Sequence, residues 1–284
     1  MDIGIFTTTF KRKTLGECLD AVSASGIRAV QFDLLSAQMP EDASTLNAEN
    51  AAAIAAEHSS RGIRIVCVNG CFNMAHPDAQ QRRAGLAYLR RLAMHCDSLG
   101  TDVITLCTGT RHSECMWWPH AENESAQAWR DMLETVSAAA KIGEEHGVTM
   151  AFEPEVSNVI NTPRKARKLL DEVRSPRLKV CMDGANIFLK GQLPRMKEVL
   201  NEAFDLLGDD IVIAHAKDLD RDGEAGQVAA GFGKLDYGLY CELFRKFGYA
   251  GTLVLHGLSE AQVPTSAAFV RERIPSPLLG RGPT

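Results

Sequence analysis

Short apolar runs alternate with longer amphipathic segments along the whole of this chain. The runs are Asp2–Phe6, Ala29–Phe32, Ile63–Val68, Asp102–Cys107, Thr149–Phe152, Leu178–Met182, Ile211–Ala214 and Thr252–Leu255, and their β-branched and aliphatic residues predict eight buried strands. Between them, apolar residues recur at helical spacing over Leu15–Ala24, Ala48–Arg61, Arg82–Leu99, Ala126–Glu145, Arg164–Val173, Met196–Leu207 and Tyr237–Phe247. Gly26, Gly62, Gly100, Gly147 and Gly248 stand where helices would end before the next strand, as left-handed C-caps do. Repeated units of strand, helix and glycine predict a parallel sheet, and eight of them predict closure into a single (β/α)8 TIM barrel over residues 1–273. An open doubly wound sheet is the competing α/β architecture. It more often carries a glycine-rich phosphate loop after its first strand, where this chain reads FTTTFKRK.

The length of 284 residues suits one such barrel, which typically takes roughly 250. Net charge is −5 and no basic run stands out, so the electrostatic footprint of a nucleic-acid binder is missing and no nucleic-acid partner is expected. No apolar stretch approaches the roughly 20 residues of a membrane helix, so no membrane partner is expected either. Most of the eight cysteines fall inside apolar strands or helices, and MDIGIF reads as a strand rather than a cleavable signal. Reduced thiols in a cytoplasmic protein are the expectation. Cys67 and Cys71 have no second pair nearby and read as packing residues rather than zinc ligands or a redox couple. The tail of residues 274–284, rich in Pro and Gly, is predicted to be disordered.

Four runs in the second half each end on a residue that can bind a metal: VTMAFE on Glu153, LKVCMD on Asp183, IVIAH on His215 and TLVLH on His256. Buried parallel strands ending this way would aim four ligands at one point. Two carboxylates with two imidazoles suit one divalent ion of the manganese, cobalt, iron or zinc kind better than magnesium or calcium, which prefer oxygen shells. Manganese is the expected ion, with cobalt, iron, zinc or magnesium as alternatives. Each residue also has a plainer reading: Glu153 as a salt-bridge group before Pro154, Asp183 as a turn cap before Gly184, His215 as a core histidine, His256 as a hydrogen-bond partner of substrate. Long connections after the third, fourth and seventh strands (69–78, 108–124 and 216–236) lie on the side where barrel enzymes build their sites.

The order Glu, Asp, His on strands five to seven, with HAKD at His215–Asp218 and GFGKLDY at Gly231–Tyr237, resembles the xylose-isomerase-like barrel superfamily. That superfamily holds sugar isomerases and epimerases, inosose dehydratases and endonuclease IV. The stretches NGCFNMAHPD (Asn69–Asp78), CTGTRH (Cys107–His112), FEPEVSNV (Phe152–Val159) and LHGL (Leu255–Leu258) are similar to a subgroup known as sugar phosphate isomerase/epimerase-like. The resemblance implies that the acidic residues ending strands five and eight ligate the metal and act as an acid/base pair on opposite faces of the sugar carbon. Glu153 matches the first, but the second position holds His256. It also implies a homo-oligomer, a dimer or tetramer.

Proton transfer next to a sugar carbonyl forms an enediolate, whose charge a divalent cation stabilises as a Lewis acid. Glu153 is the expected general base, His256 a second acid/base candidate, and Lys217 a partner for the developing oxyanion. Glu155, Asn186, Arg111, His112, Trp117, His120, Asn73 and His76 are the substrate-binding candidates, because all fall on loops expected at the barrel mouth. Trp117 and Trp118 suit stacking on the C–H face of a sugar, or equally a loop anchor or oligomer contact. The expected function is a divalent-metal-dependent sugar or keto-sugar isomerase or epimerase acting on a small-molecule sugar. A lyase or dehydratase performing β-elimination on a 3-keto-glycoside or inosose accommodates His256 better. An apurinic-site endonuclease would need a ligand set for several zinc ions and a basic face, and this chain offers neither. A sugar-binding or partner subunit without catalysis is the alternative of another class.

Overall fold

The computed structural model describes residues 1–40 and 42–274. Its strands are β1 (Asp2–Phe6), β2 (Ala29–Phe32), β3 (Arg64–Asn69), β4 (Val103–Cys107), β5 (Thr149–Glu153), β6 (Leu178–Asp183), β7 (Ile211–Asp218), the two-residue β8 (Val228–Ala229) and β9 (Thr252–Leu255). Each of the eight longer strands pairs in parallel with the next, β7 pairs with β9, and β9 returns to β1, so the sheet closes as predicted. The short β8 runs antiparallel to the end of β7. Residues 275–284, most of the predicted disordered tail, lie outside the described residues.

Helices α1 (Leu15–Ala24), α2 (Ala48–Ser59), α3 (Ala79–Met94), α4 (Cys96–Leu99), α5 (Ala126–His146), α6 (Pro163–Val173), α7 (Met196–Leu207), α8 (Tyr237–Lys246) and α9 (Val263–Arg273) surround the barrel. Local chemistry sets their starts. Thr14 and Glu17 form a reciprocal capping box on α1, and Thr162 caps α6 ahead of Pro163, whose missing N–H costs nothing in a first turn. The helix predicted over Arg82–Leu99 begins earlier, at Ala79, because the Asp78 carboxylate accepts from Gln80 N at 2.7 Å, and it breaks at His95. Helix α9 was not among the segments expected from sequence, and β7 continues past Ala214 to Asp218. Its backbone keeps pairing with β9 through Ala216 and then with β8 through Lys217 and Asp218.

Two apolar layers hold these elements. The outer layer lies between barrel and helices and includes Leu19, Leu92, Val136, Leu169, Leu200 and Phe244, all buried. The inner layer is the barrel's own filling, with Cys67, Ala151, Cys181, Ile213 and Val254 packed together. The residues inside are small because strands converge there. At Gly4 a Cβ would sit 2.7 Å from Thr252 Cγ2. The filled interior leaves polar groups room only at the C-terminal ends of the strands, where the loops after β3 and β4 also meet. Gly109, at φ 76°, brings those loops so close that a Cβ would lie 2.2 Å from Asn73 Oδ1.

Candidate active site

Asp183 and His215 are register partners on β6 and β7, so both side chains point into the barrel mouth. Glu153 pairs with Cys107 of β4 and enters the same space from β5. His256 follows β9, and its ring meets Phe6 of β1 edge-on, with centroids 5.2 Å apart. The ligand-bearing groups converge on His215. Its Nδ1 lies 3.5 Å from Glu153 Oε2 and 3.6 Å from Asp183 Oδ2, and its ring centroid is 5.1 Å from that of His256. On the other side of the ring, Nε2 is 2.9 Å from Gln31 Oε1. Lys217 Nζ stands 3.2 Å from Asp183 Oδ2. Tyr240 braces this arrangement from behind: its hydroxyl lies 3.1 Å from the carbonyl of Met182 and 3.2 Å from that of His215.

These groups fit a divalent metal. Asp183 Oδ2, His215 Nδ1 and His256 Nδ1 are buried with no hydrogen-bond partner in good alignment, an arrangement that is costly unless the lone pairs share a cation. Asp183, His215 and His256 offer ligand atoms within 4.8 Å of one another, and so do Glu153, Cys181 and His215. The four residues expected from sequence thus form overlapping sets that share His215, with the thiol of Cys181 added. Carboxylate, imidazole and thiol together suit borderline cations such as zinc, iron, cobalt or manganese.

The electrostatics agree with this fit. Burial pushes the Asp183 carboxyl up, but Lys217 and His215 outweigh it and hold the group well below the usual range. Burial likewise opposes charge on His215, yet Cys181, Glu153 and Asp183 around it raise its pKa well above the ordinary value. Both shifts say that this pocket demands positive charge. His256 goes the other way: burial, then Lys217 and His215, push its pKa far down, so the imidazole stays neutral and keeps a lone pair for a metal.

A cavity of about 320 Å³ opens over the group, lined by Phe6, Asn69, Trp117, Glu155, Asn186 and Gln227 together with Gln31, Glu153, His215, Lys217 and His256. The model of the xylose isomerase-like TIM barrel family matches residues 19–273. The chain belongs to this family. Among solved structures it is similar to a D-tagatose 3-epimerase-like protein, at 15% identity and a TM-score of 0.76 over 96% of this chain and 97% of that one. It is similar also to the 3-keto-D-glucoside 4-epimerase of E. coli, at 18% identity and TM-score 0.72 over 96% and 99% of the two chains. The IolI protein, solved with a bound zinc atom, matches at 15% identity and TM-score 0.70 over 96% of each chain.

Within this xylose isomerase-like barrel, the substrate-binding candidates divide. Glu155, Asn186 and Trp117 line the cavity, as do Glu153, Lys217 and His256. Asn186 donates from Nδ2 to Glu153 Oε1 and accepts from Gly226 N. Glu155 accepts from Ser157 N at 2.8 Å and Asn158 Nδ2 at 2.7 Å, and burial first, with Glu153 adding to it, pushes its pKa up to about 7.

The other candidates tie the mouth loops together and do not line the cavity. Arg111 Nη1 donates to Asp131 Oδ2 at 2.8 Å and to the Ala75 carbonyl at 2.9 Å. Asn73 Oδ1 accepts from Thr110 N at 2.9 Å, and His76 Nε2 lies 3.1 Å from the Ser113 carbonyl. His112 Nδ1 accepts from Glu114 N at 3.2 Å with its ring edge-on to Trp118, and His120 Nδ1 accepts from Glu122 N at 3.2 Å.

Sequence reasoning did not find Gln31 or Cys181. Gln31 is buried in mid-strand and bonds both His215 and, through Nε2, Thr105 Oγ1 at 2.9 Å. A lone amide inside the run AVQF was the available signal. Asp218, the last residue of HAKD, is not a ligand: its carboxylate accepts from the amides of Leu219, Gly231, Gly233 and Leu235 at 2.8–3.1 Å. That is the physical reason for the motif's partner GFGKLDY, since glycines let the loop amides close around one carboxylate.

Proposed function

We propose that the protein is a divalent-metal-dependent sugar or keto-sugar isomerase or epimerase that moves a proton beside a carbonyl, with Glu153 as general base. The observation that carries this reading is the convergence of Glu153, Asp183, His215 and His256 at one end of the cavity, where Glu153 is the carboxylate of the four that keeps some exposure. Its side chain is 14% exposed against 0% for Asp183. The names of the epimerase structures and the zinc in the IolI protein support the reading.

A divalent cation held by these residues, manganese being the expected one, supplies Lewis-acid stabilisation of enediolate charge. The chain's own residues do the rest. Glu153 takes the proton, and Asn186 fixes the carboxylate so that one oxygen remains for substrate. Lys217 reaches the cavity from β7 and meets negative charge developing on a substrate oxygen. The filled barrel below and Trp117 above keep the reacting carbon apart from bulk water. A cytoplasmic homo-oligomer, dimer or tetramer, belongs to the same proposal, and sedimentation measures the assembly.

The test is proton NMR in D₂O with metal-loaded protein and a panel of ketoses, aldoses and 3-keto-glycosides. Deuterium should appear at one carbon with an isomer forming, and Glu153→Gln should abolish both. A protein with stoichiometric metal that exchanges no C–H across the panel overturns the proposal.

One observation favours β-elimination as a second reading. Glu153 and Glu155, the carboxylates that line the cavity, both come from β5 and the loop behind it, whereas β9 leads into His256. Glu153 would take the proton and Glu155, near half-protonation at neutral pH, would hand one to the leaving group. Release of aglycone or water without isomer formation decides for elimination.

A further inference from the structure

We infer that the substrate is an uncharged sugar derivative, without phosphate or carboxylate, whose apolar face or substituent rests on Trp117. This deepens the function proposed above and rests on it. Three independent features lead to it.

No guanidinium lines the cavity among the described residues, and its ammonium group, Lys217, is already 3.2 Å from Asp183. Arg111, the guanidinium nearest in sequence to the cavity loop, is bound to Asp131 and the Ala75 carbonyl and is 9% exposed. Phosphate and carboxylate recognition needs such forks or point charges free to turn toward the ligand.

The loop after β7 contributes to phosphate sites in many barrels, where its amides turn toward the anion. In this chain an internal carboxylate has taken them. Asp218 accepts from Gly231 N at 3.1 Å, Gly233 N at 3.0 Å and Leu235 N at 2.8 Å. A second anion there would meet buried negative charge, and these three amides are already taken. The cavity itself adds Glu153 and Glu155 to that field.

The remaining wall is apolar or neutral. Phe6, Ala225 and Trp117 line it with the amide of Gln227, and Trp117 is 49% exposed, an indole face left uncovered at the mouth. A neutral pyranose or an apolar aglycone covers such a face, and an anionic group gains nothing from it.

The experiment is isothermal titration calorimetry on the full, manganese-loaded chain. Its probes are D-fructose, D-fructose 6-phosphate, methyl β-D-glucoside and phenyl β-D-glucoside. The phosphate ester should bind at least about tenfold more weakly than fructose, because among the cavity-lining residues no guanidinium, and no ammonium free of a carboxylate partner, is there to take up its charge. The phenyl glucoside should bind about 3- to 10-fold more tightly than the methyl glucoside through indole contact. Trp117→Ala, a change at a half-exposed side chain, should erase that gain while metal content and melting temperature stay unchanged. Tighter binding of the phosphate ester overturns the inference and leaves the sugar reading standing. A phenyl gain that survives Trp117→Ala also overturns it. Failure of every sugar to bind the metal-loaded protein overturns both together.

Discussion

Asn186 ties Glu153 to the loop after β7: its Nδ2 donates to Glu153 Oε1 while its Oδ1 accepts from Gly226 N at 3.0 Å. The proposed general base is therefore oriented by a residue that also fixes one edge of the cavity. Asn186→Ala should slow deuterium exchange at the substrate carbon by about 10- to 100-fold, as loss of an orienting partner does. Metal content should stay near stoichiometric. An unchanged exchange rate would show that Glu153 needs no such partner.

Metal removal should separate ligands from neighbours. Elemental analysis of purified protein should find one divalent ion per chain, lost in Asp183→Asn and His256→Ala. Wild type with metal at about 100 times its dissociation constant should gain about 2.7 kcal/mol of stability over chelated protein. Metal retained by His256→Ala would move that residue to substrate contact.

Asp218 should matter for stability more than any ligand. Its carboxylate accepts from the amides of the buried Leu219 and Leu235, which would otherwise lack a partner, and holds the Gly231 and Gly233 turn against them. Asp218→Ala should cost at least about 3 kcal/mol in urea denaturation, and Asp218→Asn less, because one acceptor oxygen remains. A loss under about 1 kcal/mol for the alanine variant would mean that the loop finds other partners.

His58 gives a pH dependence away from the site. It is buried on α2 against Phe32, with Nδ1 2.8 Å from the Ile54 carbonyl, and burial lowers its pKa. The unfolded chain takes up this proton near pH 6.5, before the folded chain does. The stability it leaves intact above about pH 6.5 is therefore lost as pH falls toward the depressed folded value. His58→Phe should lose less stability than wild type between about pH 7.5 and about pH 5, measured on chelated protein. Parallel pH curves for the two proteins would rule this out.

The barrel and the positions that meet at its mouth were legible in the chain because strand patterning is a local property. A run such as LKVCMD declares a buried strand through its side chains, and an inward-facing residue near the C-terminal end of a parallel barrel strand reaches the mouth. Glu153, Asp183, His215 and His256 could therefore be placed at the mouth before any contact was known. Loop residues carry no such constraint. Arg111, His112, His120, Asn73 and His76 have the chemistry of substrate groups, yet packing turned them to carbonyls and amides of the mouth loops and to Asp131 of α5. Gln31 and Cys181, which sequence reads as strand filling, came to face His215 because the closed sheet brings β2 and β6 around one interior. Periodicity fixes which side of a strand a residue faces. Only the folded chain decides which hydrogen-bonding groups a loop leaves free for a ligand, because each donor must first satisfy its nearest buried neighbour.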